Sequence, residues 1–207
     1  MKGSRKQDPP QELLDWLALE CDDWKPSYPF DDAKVRIAVV EILFREQRGL
    51  CVYCGRKLDM SSPGKSFHIE HFRPRQHRPD LSVEHGNLFL SCGQEDEHGN
   101  TSQTCGTRKG NWFDEEKCIE PIYAECTRRF QFRRTGDVRA ANPSDDAATE
   151  MIAVLGLANP ELKKEREMLL EQLDLGTLTL DDCWDINGQI AESLAHVAYQ
   201  HLGEILP

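Results

Sequence analysis

The sequence predicts a mixed α+β protein in which a small module of short strands sits between helical segments. Two observations carry this. Apolar residues recur at helical spacing toward both ends of the 207-residue chain, whereas residues 50–132 break into short β-prone runs among turns and Gly/Asn-rich loops. That middle stretch also holds a Cys-x-x-Cys knuckle and two further cysteines, each followed by glycine.

In chain order, residues 11–22 predict a short helix through Leu13, Leu14, Leu17 and Ala18, broken by the Pro26 and Pro29 stretch. A second helix is expected from an Asp31 or Asp32 N-cap, with Val35, Ala38, Val39 and Ile42 as its apolar stripe and Gly49 just past its end. Strands are expected at 66–72, 87–92 and 129–133. Beyond Gly136 the pattern turns helical again at 145–157, 160–173 and 180–205, the last interrupted at Gly188. The chain therefore divides into an N-terminal helical segment (1–50), a core module (51–135) and an acidic C-terminal helical region (136–207).

The formal net charge of -11 argues against a nucleic-acid enzyme until its distribution is considered. Residues 136–207 hold 4 basic and 14 acidic side chains, whereas residues 51–135 hold 13 and 12. Five of the seven histidines also fall in that middle stretch. The charged start has no apolar stretch behind it, so no secretory signal is expected. The apolar run at 151–158 is far short of the roughly 20 residues of a membrane span. Eight cysteines without an export signal then point to a reducing, cytoplasmic setting, in which clustered thiols are metal ligands.

Cys51 and Cys54 place two thiolates in one tight turn, and Cys92 and Cys105 are the expected second pair for a structural Zn²⁺. Their 12 intervening residues must loop out, and His98 within that loop is the alternative ligand. Cys21, Cys118, Cys126 and Cys183 are expected to be ordinary buried residues.

Between the two zinc halves stands Phe67-His68-Ile69-Glu70-His71-Phe72-Arg73-Pro74-Arg75. Phosphodiester hydrolysis needs an activated water, a cation at the scissile phosphate and a base near neutrality. His71 suits the base and Glu70 a ligand for Mg²⁺ or Mn²⁺. Both can reach one site if the strand ends or bends there, which Pro74 favours. Asn87, in a turn before an apolar run, is expected to tie the loop to backbone groups. Lys109 and Arg108 are expected on phosphate, with Arg73, Arg75 and Arg78 as a second positive strip.

This order of motifs resembles the HNH endonucleases, which implies a ββα-metal fold braced by cysteine-bound zinc around an acid–His pair, a central Asn and a final His or Asn. That final residue normally follows the last cysteine, where this chain has Gly106. Asn111 is the substitute expected to join Glu70 on the catalytic ion, with His98 and His68 behind it. A wider resemblance covers Glu46 to Cys54, His68 to Pro74, Asn87 to Cys92, Cys105-Gly106 with Lys109-Gly110-Asn111, and Leu155-Gly156-Leu157. It is similar to the HNH subunit of Septu-type anti-phage systems, also found beside some retrons, and so implies a bacterial defence role with an ATPase partner docked on the acidic C-terminal third. The competing expectation is a zinc module that binds DNA or RNA without cutting it. Nothing in the residues chooses between DNA and RNA.

Overall fold

The computed structural model describes residues 1–62, 64, 66–93 and 104–207. Helix α1 (Gln11–Leu17) ends five residues before the predicted limit. Trp16 is pulled inward against Trp24 and Phe30, and Cys21 pairs with Trp24 in a short bridge, so the chain turns back instead of continuing the helix. Helix α2 (Ala33–Glu46) starts at Asp32, whose carboxylate accepts the Lys34 amide at 2.7 Å. Val35, Val39 and Ile42 point into the core, and Gly49 reverses the chain with φ +74°.

Strands β1 (Phe67–His71) and β2 (Leu88–Cys92) form an antiparallel ribbon with Glu70 opposite Phe89 and His71 opposite Leu88. Helix α3 (Cys105–Lys109) packs on β2. Helix α4 (Glu125–Arg128) leads into a hairpin of β3 (Phe130–Phe132) and β4 (Val138–Ala140). Its turn includes Gly136, where a Cβ would lie 2.0 Å from the Lys163 carbonyl oxygen. Helices α5 (Asp146–Val154) and α6 (Pro160–Asp174) start as the sequence indicates, with Asp145 and Asn159 as side-chain caps and Pro160 in the first helical turn.

The expectation of one interrupted helix over 180–205 is corrected. The stretch holds a small hairpin, β5 (Trp184–Asp185) with β6 (Ile190–Ala191), and a separate helix α7 (Ala195–His201). The Asp185 side chain accepts the Asn187 amide at 2.9 Å, and Gly188 is close enough that a Cβ would meet the Asp185 carboxylate at 2.6 Å. This aspartate-turn chemistry outweighs the helical spacing of the flanking apolar residues. Cys21 is exposed and Cys118 half-buried, which corrects their reading as buried residues, while Cys126 and Cys183 are buried as expected.

The main hydrophobic core runs from Met1 to Leu162 and includes residues from all three sequence segments. The charged N-terminus is part of it. Lys2 and Gly3 donate backbone hydrogen bonds to Tyr53 and Val52 at 2.9 and 2.7 Å, so residues 1–4 lie along the cysteine knuckle. From the other end, α5 buries Met151 and is followed by the fully buried Leu155, each contributing roughly 2 kcal/mol of apolar transfer. The Leu155 carbonyl accepts the Cys105 amide at 2.8 Å. A second cluster joins Leu50 to Ala195, Ala198 and Tyr199 of α7. Among the described residues no helix is long and apolar enough to cross a membrane.

Candidate functional site

Cys51, Cys54, Cys92 and Cys105 converge, all four buried, with their sulfurs within 4.8 Å of one another. A tetrahedral zinc site with bonds of about 2.3 Å has sulfur–sulfur edges of about 3.8 Å, so this donor set fits zinc. The knuckle closes with the Gly55 amide on the Cys51 carbonyl at 3.0 Å. Gly55 has φ +78°, and a Cβ there would lie 2.3 Å from the His196 ring, so both backbone and space require glycine. The Cys92 amide donates to Cys51 Sγ at 3.3 Å and the Arg56 amide to Cys54 Sγ at 3.5 Å, as thiolates require. Burial pushes the Cys51 thiol up, but hydrogen bonds from Cys105, Cys54 and Cys92 hold it well below the ordinary value. Cys105 enters α3 with φ +59°, a conformation costing on the order of 1 kcal/mol or more outside glycine, which the convergence on the other three sulfurs accompanies. His98, the alternative ligand, lies outside the described residues.

The cysteine quartet brings together the ribbon and α3, and beside them opens a cleft of about 590 Å³ lined by His68, Glu70, His71, Arg75, Gly106 and Asn111, among others. Glu70, 6 % exposed, divides its carboxylate. Oε1 accepts Tyr53 Oη at 3.0 Å and pairs with Lys109 Nζ at 2.9 Å, and Oε2 lies 3.4 Å from His68 Nε2. Burial pushes this carboxyl up, but the His68 hydrogen bond and the Lys109 charge outweigh it, so the group stays ionised below the usual carboxylate range. The same carboxylate, with burial, raises the Tyr53 phenol well above its ordinary value.

His71 follows at the end of β1. Its Nε2 lies 2.9 Å from the Ser82 carbonyl, a contact that needs a proton on that nitrogen and leaves Nδ1 as the basic one. Burial, chiefly, lowers its pKa below the ordinary imidazole value, so the ring is neutral at physiological pH. Tyr28 packs edge-on against it with ring centroids 4.6 Å apart. The loop carrying Ser82 is held by Asn87. Its Oδ1 accepts the Arg73 amide at 2.7 Å, and Nδ2 donates to the Arg73 and Leu81 carbonyls at 3.0 and 3.1 Å.

The basic residues separate. Arg75 is exposed, lines the cleft and stacks over Tyr28 at 4.7 Å. Arg73 pairs with Glu120 at 2.9 Å, and Arg108 donates to the Ala153 carbonyl at 3.1 Å, away from the cleft. Lys109 is buried, and its ammonium sits on Glu70 and, at 3.2 Å, on the His71 carbonyl. Asn111, on the exposed rim, donates to Gln76 Oε1 at 2.6 Å. Arg78 is bound up with Asp80 at 2.6 Å.

Sequence reasoning missed Tyr53, which reads as a core aromatic inside the knuckle, and Gln47. The Gln47 amide group donates to the Leu50 and Leu90 carbonyls, both at 2.8 Å, while its Oε1 accepts the Leu90 amide at 2.7 Å. It therefore fastens β2 to the end of α2, and no spacing rule marks such a residue in a single sequence. No protein-family model matches this chain, and no curated protein matches it.

Proposed function

We propose that this chain is an HNH-type endonuclease that hydrolyses phosphodiester bonds of nucleic acid with a divalent metal ion. The observation that carries the reading is the juxtaposition of a neutral, carbonyl-anchored His71 with an ionised Glu70 in one cleft, on a ribbon and helix joined by a zinc-competent cysteine quartet. A histidine fixed through Nε2 presents Nδ1 as a base for the proton of an attacking water. Asn87 positions that base indirectly, by pinning the loop whose Ser82 carbonyl anchors the ring. Lys109 and Tyr53 hold Glu70 ionised and oriented.

Glu70 Oε2 is the protein oxygen suited to Mg²⁺ or Mn²⁺, because its partner oxygen is already taken by Lys109 and Tyr53 and no side chain at Gly106 fills the adjoining space. Such an ion supplies positive charge to the scissile phosphate and the leaving oxygen. Arg75 at the cleft would steer the phosphate backbone, DNA or RNA alike.

The resemblance to the HNH subunit of Septu-type systems supports a cytoplasmic anti-phage role with an ATPase partner. The exposed acidic face of α6, with Glu167 and Glu171, is the docking surface we assign to it. Charge-reversing Glu167→Lys with Glu171→Lys should abolish co-purification of the ATPase encoded with the protein, and unchanged co-purification would refute that surface.

The test of the nuclease reading is cleavage. Purified protein, with and without the ATPase, is incubated with plasmid DNA and total RNA in Mg²⁺ or Mn²⁺ beside His71→Ala. Cleavage by wild type, lost in the variant with zinc retained, supports the enzyme. Metal-independent binding of nucleic acid without cleavage in either form would leave a zinc-dependent binding module.

A further inference from the structure

Helix α3 begins against β1 with Gly106, and the fit there is close. A Cβ at this position would lie 2.5 Å from Glu70 Oε2, 2.7 Å from His68 Nε2 and 3.0 Å from Ser91 Oγ. Any larger residue would push the two β1 side chains apart. With glycine, His68 and Glu70, two residues apart and so on one face of the strand, bring Nε2 and Oε2 to 3.4 Å at the cleft. The Gly106 amide is itself occupied, donating to Ser91 Oγ at 3.0 Å.

We propose that His68 Nε2 and Glu70 Oε2 together form the protein half of a divalent-cation site, with His68 supplying from the strand the donor that residue 106 on the helix does not. The assignment rests on the nuclease reading of this cleft. Two donors about 2.1 Å from one ion and near 90° apart stand about 3 Å from each other, so a shift of a few tenths of an ångström joins them. The other candidates are placed for other tasks: His71 is held through Nε2 on the Ser82 carbonyl with Nδ1 assigned to the attacking water, Asn111 stands on the exposed rim with its NH₂ on Gln76, and Lys109 sits on the opposite carboxylate oxygen. Water and a phosphate oxygen complete the shell. An imidazole donor beside one carboxylate favours first-row transition ions, so Mn²⁺ binds more tightly than Mg²⁺.

The ion can be followed without nucleic acid. Zinc-loaded full-length protein is titrated with Mn²⁺, and the free-ion electron paramagnetic resonance signal gives the affinity. One site is expected in wild type, weakened at least tenfold in His68→Ala, abolished in Glu70→Gln and unchanged in Asn111→Ala and His71→Ala. Electron spin echo measurements on Mn²⁺-loaded His71→Ala should show coupling to a histidine nitrogen, a readout that does not depend on His68→Ala folding. Wild-type affinity in His68→Ala, no Mn²⁺ site in wild type, or no nitrogen coupling would overturn the proposal. Cleavage that persists in His68→Ala with unchanged Mn²⁺ affinity would overturn it while sparing the nuclease; a bound ion with no cleavage in any nucleic acid would do the reverse.

Discussion

Glu70 is the residue on which most of the site's electrostatics converge, because a buried carboxylate must be matched by charge and hydrogen bonds or it protonates. Lys109 supplies the charge from α3, so this ion pair also joins the helix to the ribbon. Lys109→Met leaves Glu70 with Tyr53 and His68 but without its buried counter-ion, and stability should fall by about 3–5 kcal/mol, read as a lower urea midpoint. The double variant Glu70→Gln with Lys109→Met should recover a large part of that loss, since it leaves no uncompensated charge; strictly additive losses would show that the pair is not coupled. Asn87 makes a second test at this scale. Asn87→Ala removes the acceptor of the Arg73 amide and the donor to two carbonyls, which should cost about 1–3 kcal/mol for each buried group left unpaired. Cleavage should fall with it, because the Ser82 anchor of His71 is released, while zinc content stays at wild-type level.

At the scale of elements, α2 is fastened at its C-terminal end by a buried network that also captures the N-terminal segment. Lys6 Nζ lies 3.0 Å from Glu46 Oε2, His85 Nε2 lies 3.2 Å from Oε1, and the Gln7 amide donates to Oε1 at 2.8 Å. Burial pushes the Glu46 carboxyl up, yet the His85 ring at 3.2 Å and the Lys6 charge bring it below its ordinary value of 4.5. A carboxyl depressed by folding adds stability that is fully present above the unfolded value and is lost as pH falls through the folded one. Wild-type stability should therefore drop with acid from about pH 4.5 downward, and Glu46→Gln should lower stability at neutral pH and flatten that limb. An acid limb identical in Glu46→Gln would show that other carboxyls account for it. The same network explains what was and was not legible. Caps such as Asp32, Asp145 and Asn159 act within a few residues, so α2, α5 and α6 could be read locally. The convergence of the four cysteines that could hold zinc was legible because a Cys-x-x-Cys turn and two Cys-Gly positions carry the spacing of a metal site. Residues 1–7 were not, because Lys2 and Lys6 look solvent-seeking until their partners Gln47 and Glu46 arrive from 45 and 40 residues away. The β5–β6 hairpin was missed because a two-residue strand leaves no periodicity to detect. Lys109 reads as a phosphate contact in sequence, and only the fold turns its ammonium toward Glu70.

Across the whole molecule the cysteine quartet joins segments that are otherwise far apart, the knuckle at Cys51 and Cys54, the end of β2 at Cys92 and the start of α3 at Cys105. Its surroundings are shared with both ends of the chain. The N-terminal residues run along the knuckle, the Leu155 carbonyl holds the Cys105 amide, and Leu194 of the segment before α7 donates its amide to the Gly55 carbonyl at 2.7 Å. Zinc bound there therefore stabilises more than the ribbon and α3. Structural zinc sites contribute apparent binding energies of about 10–16 kcal/mol, comparable with the whole net stability of a domain. Stripping the metal should thus unfold the N-terminal and C-terminal helices together with the module, in one transition. Affinity should also weaken in acid, because protons compete with the ion for the four thiolates. Circular dichroism at helix wavelengths and amide hydrogen exchange, followed during chelator titration with zinc counted by mass spectrometry, measure this directly. A single loss of helix and protection tracking zinc release is expected, and Cys51→Ser should reproduce it where Cys183→Ser does not. Helices α5 and α6 that keep their protection after zinc has left would show that the C-terminal region folds on its own core, with the metal bracing only the module beside it.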